Sequence, residues 1–150
     1  MMEIKISVRN LIEFTLRYGD ITTEGYGTSP KRMEEGTRAH VKIQKRRQEE
    51  ISEYTKEQYL KYQLKMDDVL FTVDGRADGM VPGEFLEEIK STYTPLADLI
   101  EDHNELHWAQ VMFYGFMHME EKKLDSILLL LTYFNFLFSD CDFFVRNNNF

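Results

Sequence analysis

The sequence predicts a mixed α/β (α+β) domain, a mixed sheet flanked by helices on both sides. Three observations predict it. Residues 57–92 alternate apolar and polar side chains and are broken twice by turn residues, the pattern of a three-stranded meander. Residues 7–18, 33–54 and 105–120 carry helical spacing. Residues 124–136, LDSILLLLTYFNF, form a continuous apolar run of the kind that fills a strand buried on both faces.

Taken in order, residues 7–18 (SVRNLIEFTLRY) form a helix with Ser7 as N-cap and Leu11, Phe14 and Tyr18 at helical spacing. Gly19, Gly25, Gly27 and Pro30 then break the chain into a long loop, a length associated with function or mobility. A second, highly charged helix starts at Met33 and runs to Tyr54. In EQYLKYQLKM the period changes: Leu60, Tyr62, Leu64 and Met66 alternate with polar residues as in a strand. Asp67 and Asp68 make a turn, VLFTVDGRADG is the second strand, Val81-Pro82-Gly83-Glu84 turns again, and FLEEIKST is the third. Pro95 closes this region. The third helix, from Glu105 to Glu120, places Trp108, Met112, Gly115 and Met119 on one face, and the apolar strand follows.

The totals bound the function. A chain of 150 residues with 43% hydrophobic and 29% charged residues suits one soluble domain with a core of its own, here residues 1–150, whether whole or a piece of a longer chain. A single cysteine, Cys141, excludes an internal disulfide and a cysteine-held zinc or iron–sulfur cluster within this chain. Residues 1–10 carry Glu3, Lys5 and Arg9, unlike a secretory leader, and no apolar run approaches the roughly 20 residues of a membrane span, so the cytoplasm is the expected compartment and no membrane partner is expected. The net charge of −8 opposes nucleic-acid binding overall. A local stripe from Lys31 to Arg47, with Lys31, Arg32, Arg38, Lys42, Lys45, Arg46 and Arg47, runs against that total.

The chemistry concentrates in the second turn. Asp78 and Glu88 stand on successive strands with Lys90 two residues further on. A two-residue turn at Pro82-Gly83 pairs Asp78 with Glu87 and turns Glu88 away. A three-residue loop, residues 82–84, puts Asp78 opposite Glu88, with Cβ atoms about 5 Å apart. Two carboxylates that close repel unless a cation lies between them, so a shared metal requires an odd loop or a bulge. A surface ion network of two acids and a lysine is the competing reading. A calcium loop fails, because the twelfth position from Asp74 is Phe85, and no phosphate-binding glycine loop is present.

The ordered set of an Asp, then Glu-x-Lys on the next strand, GTRAH upstream (Gly36, His40) and QVMFY downstream (Gln110, Tyr114) resembles the PD-(D/E)XK nuclease superfamily, and within it the RecB-like exonuclease branch. The match spans about residues 36–133. The resemblance implies a restriction-endonuclease-like fold and a Mg2+- or Mn2+-dependent deoxyribonuclease, exonucleolytic in kind, that hydrolyses DNA phosphodiesters with metal-activated water. It implies His40, Asp78, Glu88 and the carbonyl of Ile89 as metal ligands, Asp78, Glu88 and Lys90 as catalytic residues, and Gln110 and Tyr114 as site support or DNA contacts. Lys45, Arg46 and Arg47 are the candidate phosphate track beside such a site. Ala77 departs from the proline of the superfamily name, and the lone cysteine departs from branch members that hold an iron–sulfur cluster. Fusion to a helicase domain or association with a helicase subunit is common in the branch. The alternative is a non-catalytic nucleic-acid-binding module of a helicase or repair assembly. His103, His107 and His118 fall near the Gln110 stripe and read as a polar groove wall, and Trp108 reads as core.

Overall fold

The computed structural model describes residues 1–16, 30–98 and 105–149. Its elements are β1 (Met2–Ser7), α1 (Val8–Leu16), α2 (Pro30–Glu50), β2 (Thr55–Met66), β3 (Val69–Val81), β4 (Phe85–Thr92), a short 3-10 turn (Leu96–Asp98), α3 (Glu105–Lys122), β5 (Ile127–Asn135) and β6 (Asp140–Asn148). Tyr18, the loop glycines 19, 25 and 27, and His103 lie outside the described residues.

The expected mixed sheet flanked by helices is present, with six strands. β3 organises it. One edge of β3 pairs antiparallel with β2 from Met66↔Val69 to Thr55↔Met80. Its other edge is shared: β1 runs parallel to it from Met2↔Val69 to Ser7↔Asp74, whereas β4 pairs only at Gly79↔Glu87, Met80↔Leu86 and Val81↔Phe85. β4 then continues parallel to β5, and β5 pairs antiparallel with β6. The sheet therefore opens beyond the β3–β4 turn, where β4 stays with β5 and β3 goes to β1.

Side-chain alternation on β4 assigns the helices to faces. Leu86 packs in the main core with Val8, Ile12, Trp108, Val111, Tyr114, Leu129 and Leu131, under α1 and α3. Ile89 packs on the other face in a small cluster with Ala39 and Ile43 of α2 and Phe134 of β5. Each fully buried aliphatic side chain of this kind contributes roughly 1.5–3 kcal/mol.

The helices and edges differ from the sequence reading in detail. Ser7 does cap α1, its Oγ accepting the Asn10 N–H at 3.1 Å. The buried stripe is Val8 and Ile12, however, and Phe14 is 85% exposed, about 140° round the helix from that pair. α2 starts at Pro30 and ends at Glu50, not at 33 and 54: Ile51 N–H closes the last turn on Arg47, and Tyr54 then turns inward to 4% exposure. β1 and β6 were not expected. Both are edge strands with mostly exposed residues: DCDFFVRNN has no clean alternation, whereas MEIKIS alternates Met2, Ile4 and Ile6 with polar residues but is only six residues long, with Ile6 alone packed on the core.

Candidate metal centre

The turn between β3 and β4 settles the parity question. Pro82 and Gly83 occupy the middle of a type II turn, with Gly83 at φ 79° and the Glu84 N–H donating to the Val81 carbonyl at 3.0 Å. The ladder closes at Val81↔Phe85, so the loop has the three residues 82–84 and the register carries Asp78 opposite Glu88. Regular pairing stops there. The Asp78 carboxylate replaces the next backbone acceptor: its Oδ2 takes the Ile89 N–H at 2.7 Å. N–H and C=O of one strand residue point to the same edge, so the Ile89 carbonyl is directed into the same opening.

His40 reaches this opening from α2. Its Nδ1 lies 3.4 Å from Asp78 Oδ1. On the other side Lys90 Nζ lies 3.1 Å from Glu88 Oε1 and 3.0 Å from Gln110 Oε1 of α3. Arg9, Arg76 and His107 join His40, Asp78, Glu88, Lys90 and Gln110 around a cavity of about 350 Å³. Asp78 is 7% exposed and Glu88 4%.

The Glu88 carboxyl does not ionise freely at this depth. Burial, and then the charge of Asp78, push the Glu88 carboxyl from 4.5 to about 7, against the pull of Lys90. Burial opposes a charge on His40, but Asp78, by hydrogen bond and charge, and Glu88 outweigh it and hold the imidazole above its ordinary pKa. Glu88 and His40 thus hold protons beside Asp78 that a divalent cation would displace on binding.

Tyr114 stands beneath it, buried, with hydrogen bonds to Gln110 and the backbone of Arg76, and burial drives its hydroxyl well above the usual range, so it acts only as a neutral phenol. It passes so close to β3 that a Cβ on Gly75 would stand 2.5 Å from its hydroxyl, which explains a glycine there. His107 lines the cavity, its Nδ1 2.9 Å from the Tyr133 hydroxyl. Burial, with Lys90 nearby, lowers its pKa to about 4, so it is a neutral wall. His118 is elsewhere, accepting the Gly83 N–H on Nε2 at 3.0 Å. Trp108 is core, as expected.

The basic track is only partly as expected. Arg47 is not available to phosphate. Its guanidinium holds Glu87, with Nη2–Oε2 at 2.9 Å, on the α2 face of β4, where the Tyr54 and Thr132 hydroxyls also donate to that carboxylate and Glu87 is fully buried. Lys45 and Arg46 are exposed, and Arg46 reaches Cys141 Sγ at 3.2 Å.

Three contributors escaped the sequence reading. Glu57 of β2 brings a carboxylate oxygen into a group with His40 and Asp78 in which the ligand atoms lie within 4.8 Å of one another. Gln44, one turn after His40, is 4% exposed and donates at 2.8 Å to both the Glu57 carboxylate and the Asp78 carbonyl. Arg76 lines the cavity two residues before Asp78. The Glu57 signal was legible: a two-residue turn at Asp67-Asp68 brings Glu57 opposite Asp78, as the observed pairs Lys56↔Gly79 and Gln58↔Ala77 do.

No family model and no curated protein matches this chain. Among solved structures it is similar to the crystal structure of SSO0001, with a TM-score of 0.66 and 15% identity over 97% of this chain and 68% of that one. At that identity the likeness establishes the fold alone. Among the described residues no helix is long and apolar enough to cross a membrane.

Proposed function

We propose that the chain is a Mg2+- or Mn2+-dependent deoxyribonuclease of the RecB-like PD-(D/E)XK kind, acting on DNA ends in the cytoplasm, alone or beside a helicase domain or subunit. The observation that carries the reading is the meeting of His40, Asp78, Glu88, Lys90 and Gln110, from four separate elements, at the place where β3 and β4 part. A surface ion network would be solvated. These carboxylates are buried beside a cavity.

The donor set fits the cation. One imidazole and two carboxylates, with the Ile89 carbonyl facing the same opening, are hard to borderline ligands, and the imidazole favours Mn2+ over Mg2+. Such a cation would supply an activated water and neutralise charge on the phosphate. The chain's own residues do the rest. Asp78 and Glu88 fix the ligand geometry. Lys90, held between Glu88 and Gln110, presents its ammonium to the cavity, where it orients the incoming water and stabilises negative charge on phosphorus oxygens as the P–O bond breaks. Gln110 aims Lys90, and Tyr114 supports Gln110 from below. Arg76 and Arg9 offer positive charge to the flanking phosphates.

The test is cleavage of linear single- and double-stranded DNA with Mn2+, with a closed circle as control. Lys90→Ala should lose at least about 10²-fold in rate while still binding Mn2+. A spared circle makes the activity exonucleolytic. A wild-type chain that binds DNA and Mn2+ without cutting either form would instead be the non-catalytic module.

A further inference from the structure

Glu57 has no place in the set that the resemblance supplies, yet it meets His40 and Asp78 closely. We propose that Glu57, His40 and Asp78 form a second divalent-cation position on the β2 side of the centre, with Asp78 shared between it and a first position formed with Glu88 and the Ile89 carbonyl; His40, counted above with the first cation, is thereby reassigned to the Glu57 side, where its Nδ1 already meets Asp78 Oδ1. In having a first position the inference rests on the reading above; the Glu57 position itself does not.

The geometry carries it in three steps. First, the three ligand atoms come from α2, β2 and β3 and lie within 4.8 Å of one another. Two trans ligands at about 2.1 Å from one ion are about 4.2 Å apart, so small side-chain shifts close the group on a cation. Second, the two oxygens of Asp78 are divided: Oδ2 is turned to the β4 edge by the Ile89 N–H, and Oδ1 is turned to His40. Glu88 is drawn to Lys90 and is not in the Glu57 group. One carboxylate thus serves two directions, as in sites where paired ions clamp attacking and leaving oxygens. Third, Gln44 is buried and spends both amide protons on this arrangement, one on Glu57 Oε1 and one on the Asp78 carbonyl, each at 2.8 Å. Outer hydrogen bonds of this kind orient metal-binding carboxylates, and this one leaves Glu57 Oε2 for a cation.

The competing account is an imidazolium held between two carboxylates with no ion. Counting bound Mn2+ separates the two. Isothermal titration calorimetry and Mn2+ electron paramagnetic resonance would be run on the whole chain as wild type, Glu57→Gln, Glu57→Gly and Glu88→Gln. Glu57→Gly guards against a folding artefact, because Glu57 is at φ 52°, where glycine is favoured. The expected result is two Mn2+ with a spin-coupled signal in the wild type, and one Mn2+ without coupling in each variant, with the melting temperature of Glu57→Gly unchanged or raised. One or no Mn2+ in the wild type, or an unchanged count in both Glu57 variants, overturns the proposal. DNA cutting is read in parallel. Cutting with an unchanged count removes the Glu57 position and leaves the nuclease. A lost Mn2+ in a chain that never cuts leaves the Glu57 position and removes the nuclease.

Discussion

Glu88 sits where stability and chemistry oppose each other. Its carboxyl ionises near 4.5 in an unfolded chain and at about 7 in the fold. Between those values the native state holds the extra proton, so metal-free stability falls as pH rises through that window. His40 acts in the same direction: its pKa is raised in the fold, so its contribution is complete below 6.5 and is lost as pH climbs through the folded value. Urea melts in a chelator should therefore show lower stability at pH 8 than at pH 5.5, by on the order of 1–3 kcal/mol. Mn2+ should restore the loss, and Glu88→Gln should remove most of it while abolishing cutting. A chelated wild type as stable at pH 8 as at pH 5.5 would count against the buried acid pair. At this scale strand parity anticipated Asp78 opposite Glu88 with Lys90 beside them, the resemblance named His40, and the structure brings all four to one cavity. The sequence was silent on Gln44 and Arg76, since a glutamine on a charged helix and an arginine on a strand look solvated until the neighbouring elements are placed.

Among the elements, α2 is read by its two faces. His40 and Gln44 look toward the opening between β3 and β4, whereas Ala39, Ile43 and Arg47 press on β4. Arg47 belongs to the second set. Removing one partner of a buried ion pair leaves the other charge stranded, which costs about 3–5 kcal/mol. Arg47→Ala should thus lower the denaturation midpoint severely, whereas Lys45→Ala, exposed on the same turn, should change stability by less than about 0.5 kcal/mol. Equal small effects would return Arg47 to the surface cations. The run KRR was ambiguous in the sequence for a simple reason. Which of three adjacent basic residues points inward depends on the helix phase relative to β4, and only tertiary packing sets that phase. The same limit applies to β1 and β6. MEIKIS alternates but is short and mostly exposed, and DCDFFVRNN has no clear period; beyond Ile6 and Phe144, which touch the core, pairing with β3 and β5 is what fixes them as strands. The end of α2 was overrun because ISEY has helical composition, while Tyr54 is claimed by Glu87.

The whole molecule is an acidic body, so a polyanion can be met only by a local positive face. Lys45 and Arg46 should contribute to that face, and Lys45→Ala with Arg46→Ala should weaken DNA binding and reduce the slope of log affinity against log salt by roughly 0.7–0.9 for each phosphate no longer neutralised. An unchanged slope would move the DNA path off α2 and toward Arg9 and Arg76. The fold class and the order of the central elements were legible because the meander, the long helices and the apolar β5 each obey a single period. The opening between β3 and β4 was not, because it depends on β3 exchanging one neighbour for another along its length. The three-residue turn also bears on how the chain reaches its native state. β4 reads Leu86-Glu87-Glu88-Ile89, nearly the same pattern in both directions, so a slip by one residue would still give each face one acid and one aliphatic side chain. Glu87 would then face Asp78, and Glu88 would face Arg47. Lys90 would be carried over to the α2 side, and Phe85 away from Tyr54. The strand thus has a close competitor during folding, held off by the left-handed Gly83 and by the ladder with β5. Under the proposed function, a misregistered chain would keep two carboxylates at the opening without Lys90, so bound Mn2+ would overcount the correctly closed hairpins and DNA cleavage would count them.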